Sequence, residues 1–315
     1  DIDGVHFDDY FYPYPSYNGE EDFPDHRSWE AYLQGGGQLA RGDWRREAVN
    51  AFIRRCYDAI KELKPHVKFG LSPFGIWRPG HPESIQGFDQ YGQLYADARL
   101  WLNQGWIDYW TPQLYWPVNQ IPQSYPVLLG WWTKENPLNR HIWPGINIGT
   151  VSGEAGVDEA INQIMITRGR VQEGPGNVHW SIGPLVDREA LAQGIKDGPY
   201  AEDALVPQSP WLDDEAPLAP TVEVEKAEGT TGGGEVRVSW THPEPGEVFR
   251  WVVYRHSGEA WEYQVLNRAD LSTSFPFQRP GQGGGKPTTL HAVAVAAVDR
   301  TGNMSRAEVV PIQGG

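Results

Sequence analysis

From residue 1 to about residue 200, short β-branched or aromatic runs alternate with longer stretches of helical period. Residues 2–8, 67–72, 107–115, 142–148 and 178–183 have the length and composition of strands. Between the first two, Val49, Phe52, Ile53, Cys56, Ile60 and Leu63 recur at three- and four-residue steps. That spacing puts them on one helix face, with Asp43 as an N-cap and Pro65 as a stop. Residues 88–103 repeat the pattern with Tyr91, Leu94, Tyr95, Ala98 and Leu102, and Gly105 stands where a C-terminal cap belongs. Further helices are expected over 123–135, 157–171 and 187–196, the second carrying Val157, Ile161, Ile164 and Met165. Five cycles of strand and helix predict an α/β fold of parallel βα units with right-handed crossovers. A closed eight-stranded barrel typically needs about 250 residues. The region therefore reads as a partial (β/α)8 TIM-type barrel with five βα units visible, its other strands upstream or in a second chain. An open five-stranded sheet is the alternative.

The pattern changes after residue 203. Residues 204–220 are rich in proline and carry Asp213, Asp214 and Glu215, the composition of a linker. Residues 221–315 offer no convincing helix; alternating runs around Val236, Val238 and Trp240, around Trp251, Val253 and Tyr254, and over 291–298 are separated by glycine-rich turns. An all-β antiparallel sandwich is expected there. Trp240, Tyr254 and the stretch 297–305 resemble a fibronectin type III module, of the kind attached to secreted bacterial hydrolases. A spacer is a commoner role for such a module than sugar binding.

Composition narrows the chemistry. The 315 residues are 39% hydrophobic and 21% charged, with no long apolar run, as in a soluble globular chain without a membrane-spanning segment. A formal charge of −15 opposes nucleic acid and anionic membranes, since both are polyanions. Neutral substrates fit better. Aromatic residues make up 12% of the chain, enough for sugar-stacking surfaces as well as core. Cys56, the one cysteine, falls on the apolar face of a helix and is assigned no role.

The first strand is the most informative segment. Alternation sends Val5 and Phe7 towards the helices and leaves Gly4, His6 and Asp8 facing into the barrel. Asp8 then ends the strand, at the face where barrels of this type place their chemistry. An isolated aspartate there is more often a structural ligand of backbone amides. Asp9 beside it shifts the balance, because two like charges held close raise one pKa and supply an acid beside a base. The other strand ends, Ser72 to Arg78, Thr111 to Trp116 and Asn147 to Gly149, carry amides, aromatics and a guanidinium but no acid. A glycosidase pair needs carboxyls about 5 Å apart for retention or about 6.5–9.5 Å for inversion. The partner of Asp8 is thus Asp9, a loop acid such as Glu20, Glu21 or Asp22, or a residue upstream. Substrate-assisted hydrolysis, which uses adjacent acids on an N-acetylated sugar, remains open. His6, Tyr10, Tyr12, Trp77, Arg78, Gln113, Tyr115 and Trp116 are the candidate substrate-binding residues, with Trp77, Tyr115 and Trp116 as platforms for pyranose rings. No second His or Cys stands at ligand spacing from His6, so neither a metal nor another cofactor is expected.

The run from Asp3 to Pro15 closely resembles the fourth-strand signature of the bacterial glycosyl hydrolase-like 10 family. Residues 69–78, 106–116 and 176–181 are similar to its fifth, sixth and eighth strands. The resemblance covers most of residues 1–200. It implies an envelope or secreted barrel hydrolase acting on a bacterial polysaccharide, in some members peptidoglycan strands stripped of peptide. The first three βα units of the family are not in the sequence. Chitinase-type barrels end their fourth strand on a glutamate two residues past an aspartate, and here Tyr10 stands at that spacing. A glycan-binding or structural envelope protein without catalysis is the competing expectation.

Overall fold

A computed structural model describes residues 2–8, 11–227, 234–279 and 287–312. The chain divides into two compact units, Asp1–Glu202 and Asp203–Gly315.

The first unit is mixed α/β. Its strands are β1 (Gly4–Asp8), β2 (Lys68–Ser72), β3 (Tyr109–Trp110), β4 (His141–Ile142), β5 (Gly145–Asn147) and β6 (Val178–Trp180). Strands β1 to β4 form one parallel sheet in sequence order, and β5 pairs with β6 in parallel. Single parallel bridges from Phe74 to Gln113 and from Gln113 to Gly145 carry the order onward past the ends of β2 and β3. Two strands expected to be continuous are interrupted for a plain reason. Pro112 and Pro144 have no N–H to give to a ladder, so the expected strand over 107–115 shrinks to β3 and that over 142–148 splits into β4 and β5. Among the described residues β1 is paired on one side only.

The helices are α1 (His26–Gln34), α2 (Arg41–Leu63), α3 (Gln90–Gln93), α4 (Ala98–Gln104), α5 (Tyr125–Lys134), α6 (Gly153–Arg170), α7 (Ile182–Asp187) and α8 (Glu189–Asp197). Helix α2 starts two residues before Asp43, which lies in its first turn instead of at its N-cap. The single helix expected over 88–103 is two short ones. Asp89 accepts from the Gly92 amide and Asp97 from the Leu100 amide, so each aspartate opens a helix of its own. Gly105 closes α4 in the left-handed conformation at φ 67°. The core between sheet and helices is built around Ile53, Phe69, Leu71, Trp101, Trp110 and Trp132, all at most 1% exposed. Val5 and Phe7 pack against it, with the Phe7 ring 6.0 Å from Phe52 on α2 and 5.2 Å from Phe69.

The second unit is antiparallel. Its strands are β7 (Thr221–Ala227), β8 (Glu235–Thr241), β9 (Arg250–Ser257), β10 (Ala260–Asn267), β11 (Ser272–Pro276), β12 (Gln278–Arg279), β13 (Thr288–Val298) and β14 (Glu308–Pro311). One sheet runs β10-β9-β13-β12, with β14 also on β13, and the other runs β11-β8-β7. Val236, Val238 and Trp240 from one sheet and Trp251, Val253, Val293 and Val295 from the other share a single core. The proline-rich segment after residue 203 is held within this unit: the Ser209 amide donates to the Thr301 carbonyl at 2.7 Å, and Asn303 Nδ2 to the Asp213 carbonyl at 3.1 Å. Asp299 organises the turn below it, accepting from the amides of Thr301 and Asn303 at 2.8 Å each.

Candidate active site

The alternation of β1 leaves Gly4, His6 and Asp8 on the face turned away from the helices. Asp8 pairs in register with Ser72 at the carboxyl end of β2. Across that strand, Gln113 Nε2 donates to Asp8 Oδ1 at 3.0 Å and to the Ser72 carbonyl at 3.2 Å. One amide thus ties three successive strand ends together, with the carboxylate at the rim. Gly75 makes the approach possible, since a Cβ there would stand 2.3 Å from the Gln113 carbonyl oxygen.

Below this rim lies a polar and aromatic floor. His6 bridges two neighbours, with Nδ1 3.0 Å from Tyr109 Oη and Nε2 2.8 Å from Ser72 Oγ. Its ring is nearly parallel to that of Tyr109, at 5.6 Å and 12°. Tyr109 fits because its neighbour in register is Gly70, where a Cβ would lie 2.1 Å from the tyrosine ring. Trp143 also packs on Tyr109, with ring centres 4.9 Å apart and planes tilted by 30°. Desolvation lowers the His6 pKa, against the opposing pull of Asp8, so the imidazole is neutral near pH 7. Burial pushes the Tyr109 phenol up to about 12, which keeps it a neutral hydrogen-bonding group. His141, in register with Tyr109, is held at about 4 by burial and by the nearby cations Lys68 and Arg140.

The other expected site residues divide sharply. Tyr115, two residues past Gln113, is half-buried and stacks on Trp180 at 6.4 Å and 26°; Trp180 is 50% exposed. Trp116 is half-buried and edge-on to Phe74 at 5.6 Å. Trp77, expected as a platform, is 8% exposed, and its ring is enclosed by Trp131 at 5.9 Å, Tyr91 at 5.6 Å and His81 at 4.9 Å. Its Nε1 donates to Asp97. A stacking platform needs an open face, so Trp77 belongs to the core instead. Arg78 lies over the Tyr91 ring and 3.6 Å from Asp89. Asp9 and Tyr10 lie outside the described residues.

Tyr12 joins a different cluster. It packs edge-on to Phe23 and Tyr95 at 5.1 and 5.0 Å, and its hydroxyl points to Asp25. Asp25 accepts from both Arg45 and Arg41, which hold its carboxyl at about 2; Asp22 accepts from Arg45 at 2.7 Å. Asp22, one of the loop acids considered as a partner for Asp8, is therefore committed to a guanidinium. Trp180 was missing from the expected set, although it lies within the segment that resembles the family's eighth strand. Period and composition cannot distinguish an exposed tryptophan on a short strand from a packed one. Among the described residues no group of three or more His, Cys, Asp or Glu could hold a metal ion, and no helix is long and apolar enough to cross a membrane.

A carboxylate at a parallel strand end, tied by an amide to the two neighbouring strand ends, is an arrangement suited to saccharide chemistry. The Glycosyl hydrolase-like 10 family matches residues 1–161, and the chain belongs to that family. It is 33% identical over 329 residues to a protein named Glycosyl hydrolase YngK from Bacillus subtilis, across 98% of this chain and 61% of that protein. Proteins named Glycosyl hydrolase DigH from Escherichia coli K12 and Shigella flexneri are 36% identical over 150 residues, 46% of this chain and 33% of theirs. The chain thus spans about three-fifths of the length of the first of these relatives and a third of the others. A solved structure titled "Myokine structure" aligns with 31% of the chain at TM-score 0.23 and 18% identity, a likeness too slight to bear on the fold.

Proposed function

We propose that this chain is the catalytic portion of a secreted or envelope glycoside hydrolase that cleaves a bacterial polysaccharide, with amino-sugar strands of the peptidoglycan type as substrate. The observation that carries the reading is the Asp8 carboxylate at the end of β1, held by Gln113 at 3.0 Å beside the chemistry-bearing ends of the parallel strands. In this reading Asp8 is a catalytic carboxylate and Asp9 its acidic partner. Gln113 fixes the orientation of Asp8, while neutral His6 braces the floor through Ser72 and Tyr109. Tyr115 and Trp180 supply a face on which a pyranose ring can stack. The parallel sheet is read as part of a (β/α)8 barrel whose other strands come from upstream sequence or a second chain. The second unit is read as a fibronectin type III-like spacer.

One observation favours binding without cleavage. The loop acids Asp22 and Asp25 are taken up by Arg45 and Arg41, which leaves fewer candidates for the second carboxylate that an ordinary glycosidase pair needs. Incubation of the full-length protein with peptide-free amino-sugar strands separates the two. Hydrolysis yields shortened strands with new reducing ends, detected by mass spectrometry; binding with unchanged strand length would refute the hydrolase reading.

A further inference from the structure

Beyond the strand-end site, residues of 12–23 together with Arg45, Gln93 and Tyr95 line a concavity of about 270 Å³. Its walls are the rings of Tyr12, Tyr14, Phe23 and Tyr95, and Glu20, Glu21 and Gln93 stand among its lining residues. This lies just below the roughly 300–1,000 Å³ typical of sites for drug-sized ligands, a size for one ring and not for a chain. Tyr12 is four residues past Asp8, so at most about 14 Å of chain separates them. A row of ring contacts, Tyr14 to Phe88 at 5.0 Å, Phe88 to Phe74 at 5.6 Å and Phe74 to Trp116 at 5.6 Å, runs from the concavity across the strand-end loops.

Arg45 is the one cation among the lining residues and is 2% exposed. A guanidinium has five N–H groups, and all five are engaged here. Nε and Nη2 reach Asp25 at 2.8 Å each, Nη1 reaches Asp22 at 2.7 Å and Tyr95 Oη at 2.6 Å, and Nη2 also reaches the Phe23 carbonyl at 3.1 Å. Its Cζ also lies 4.8 Å from the centre of the Tyr95 ring. Arg45 therefore fixes the wall and has no donor left for a ligand. Glu20 and Glu21 are exposed and outside any ion pair recorded among the described residues.

We propose that this concavity is a sugar subsite selective for an uncharged, hydroxyl-rich pyranose and unfavourable to a ring that bears an acid. The rings stack on the sugar face, Glu20 and Glu21 accept from its hydroxyls, and Gln93 donates. The same two carboxylates repel an anionic substituent that Arg45 cannot compensate. On a glycan strand that alternates neutral and acid-bearing amino sugars, this selectivity sets the register. The inference rests on the hydrolase reading, as a subsite of the same cleft.

The test measures binding by calorimetry to the full chain carrying Asp8→Asn, so that turnover does not intrude. The probes are an oligomer of N-acetylglucosamine and an oligomer of equal length in which alternate sugars carry a carboxylate. The neutral oligomer is expected to bind more tightly. Glu20→Gln with Glu21→Gln should improve binding of the acidic oligomer roughly fivefold, as expected for relief of close like-charge repulsion near a surface. Gln93→Ala should weaken the neutral one with no change in thermal unfolding. Binding of both probes with a preference unmoved by the Glu→Gln pair would overturn the subsite and leave the strand-end reading intact. Failure of both probes to bind would overturn the two together.

Discussion

Asp8 and Asp25 are both aspartates of the β1–α2 segment, yet their surroundings give them opposite capacities. Asp25 accepts from two guanidinium groups and its carboxyl is held at about 2, so it stays ionised well into the acid range. Asp8 accepts from the neutral amide of Gln113 on the open face of the sheet. A carboxylate saturated by cations is a fastener, because giving it a proton means breaking its ion pairs. One oriented by an amide is, in the proposed reading, the group offered to the substrate. The same division separates two tryptophans near the strand ends: Trp77 is enclosed by rings, while Trp180 stands half exposed on Tyr115.

The comparison can be broken at several points. If Arg45 is a fastener, Arg45→Met takes two charge-assisted hydrogen bonds from the buried Asp25 carboxylate and should cost about 3–5 kcal/mol in urea unfolding. Trp77→Ala should cost a similar amount, about 3–5 kcal/mol, through the cavity it leaves. A cost below about 1 kcal/mol for either would return that residue to the open surface. Gly70→Ala drives a methyl into the Tyr109 ring, with an expected loss of about 1–3 kcal/mol and a weakened His6 to Tyr109 contact visible in the imidazole NMR signals. Because the Asp25 pKa is depressed, its contribution to stability is fully present above the ordinary aspartate value. It is lost as pH falls from about 4 through about 2. Unfolding followed across that window should flatten in Asp25→Asn relative to wild type. The smallest effect is expected for Trp180→Ala: folding changes by less than about 0.5 kcal/mol, but KM rises roughly three- to tenfold as a stacking face is lost.

Much of the frame was legible from period alone. The positions of β1, β2, α2 and α6 follow from runs of apolar residues, because burial on one face leaves a repeating trace. The breaks at Pro112 and Pro144 and the split between α3 and α4 were less visible. A single missing N–H or one capping aspartate redirects the backbone without altering the hydrophobic pattern around it. Strand alternation fixed the direction of His6 and Asp8, which lie on the face turned away from the helices. Trp77 was expected on an open face and lies in the core, while the exposed Trp180 drew no expectation. A strand end supplies both core and cleft residues, and only the packing of neighbouring loops decides which side a ring takes. The separate Tyr12 cluster depends on Arg45, and no local pattern signals that a guanidinium on α2 will gather acids from the preceding loop.

The most direct test sets Asp8→Asn beside Asp25→Asn in the full-length protein, with glycan binding and release of reducing ends measured on the same preparations and normalised to folded molecules. Asp8→Asn should keep its glycan affinity and lose at least roughly a hundredfold in turnover, the scale of a removed acid–base group. Asp25→Asn should be less stable and turn over normally. Normal cleavage by Asp8→Asn would contradict the account.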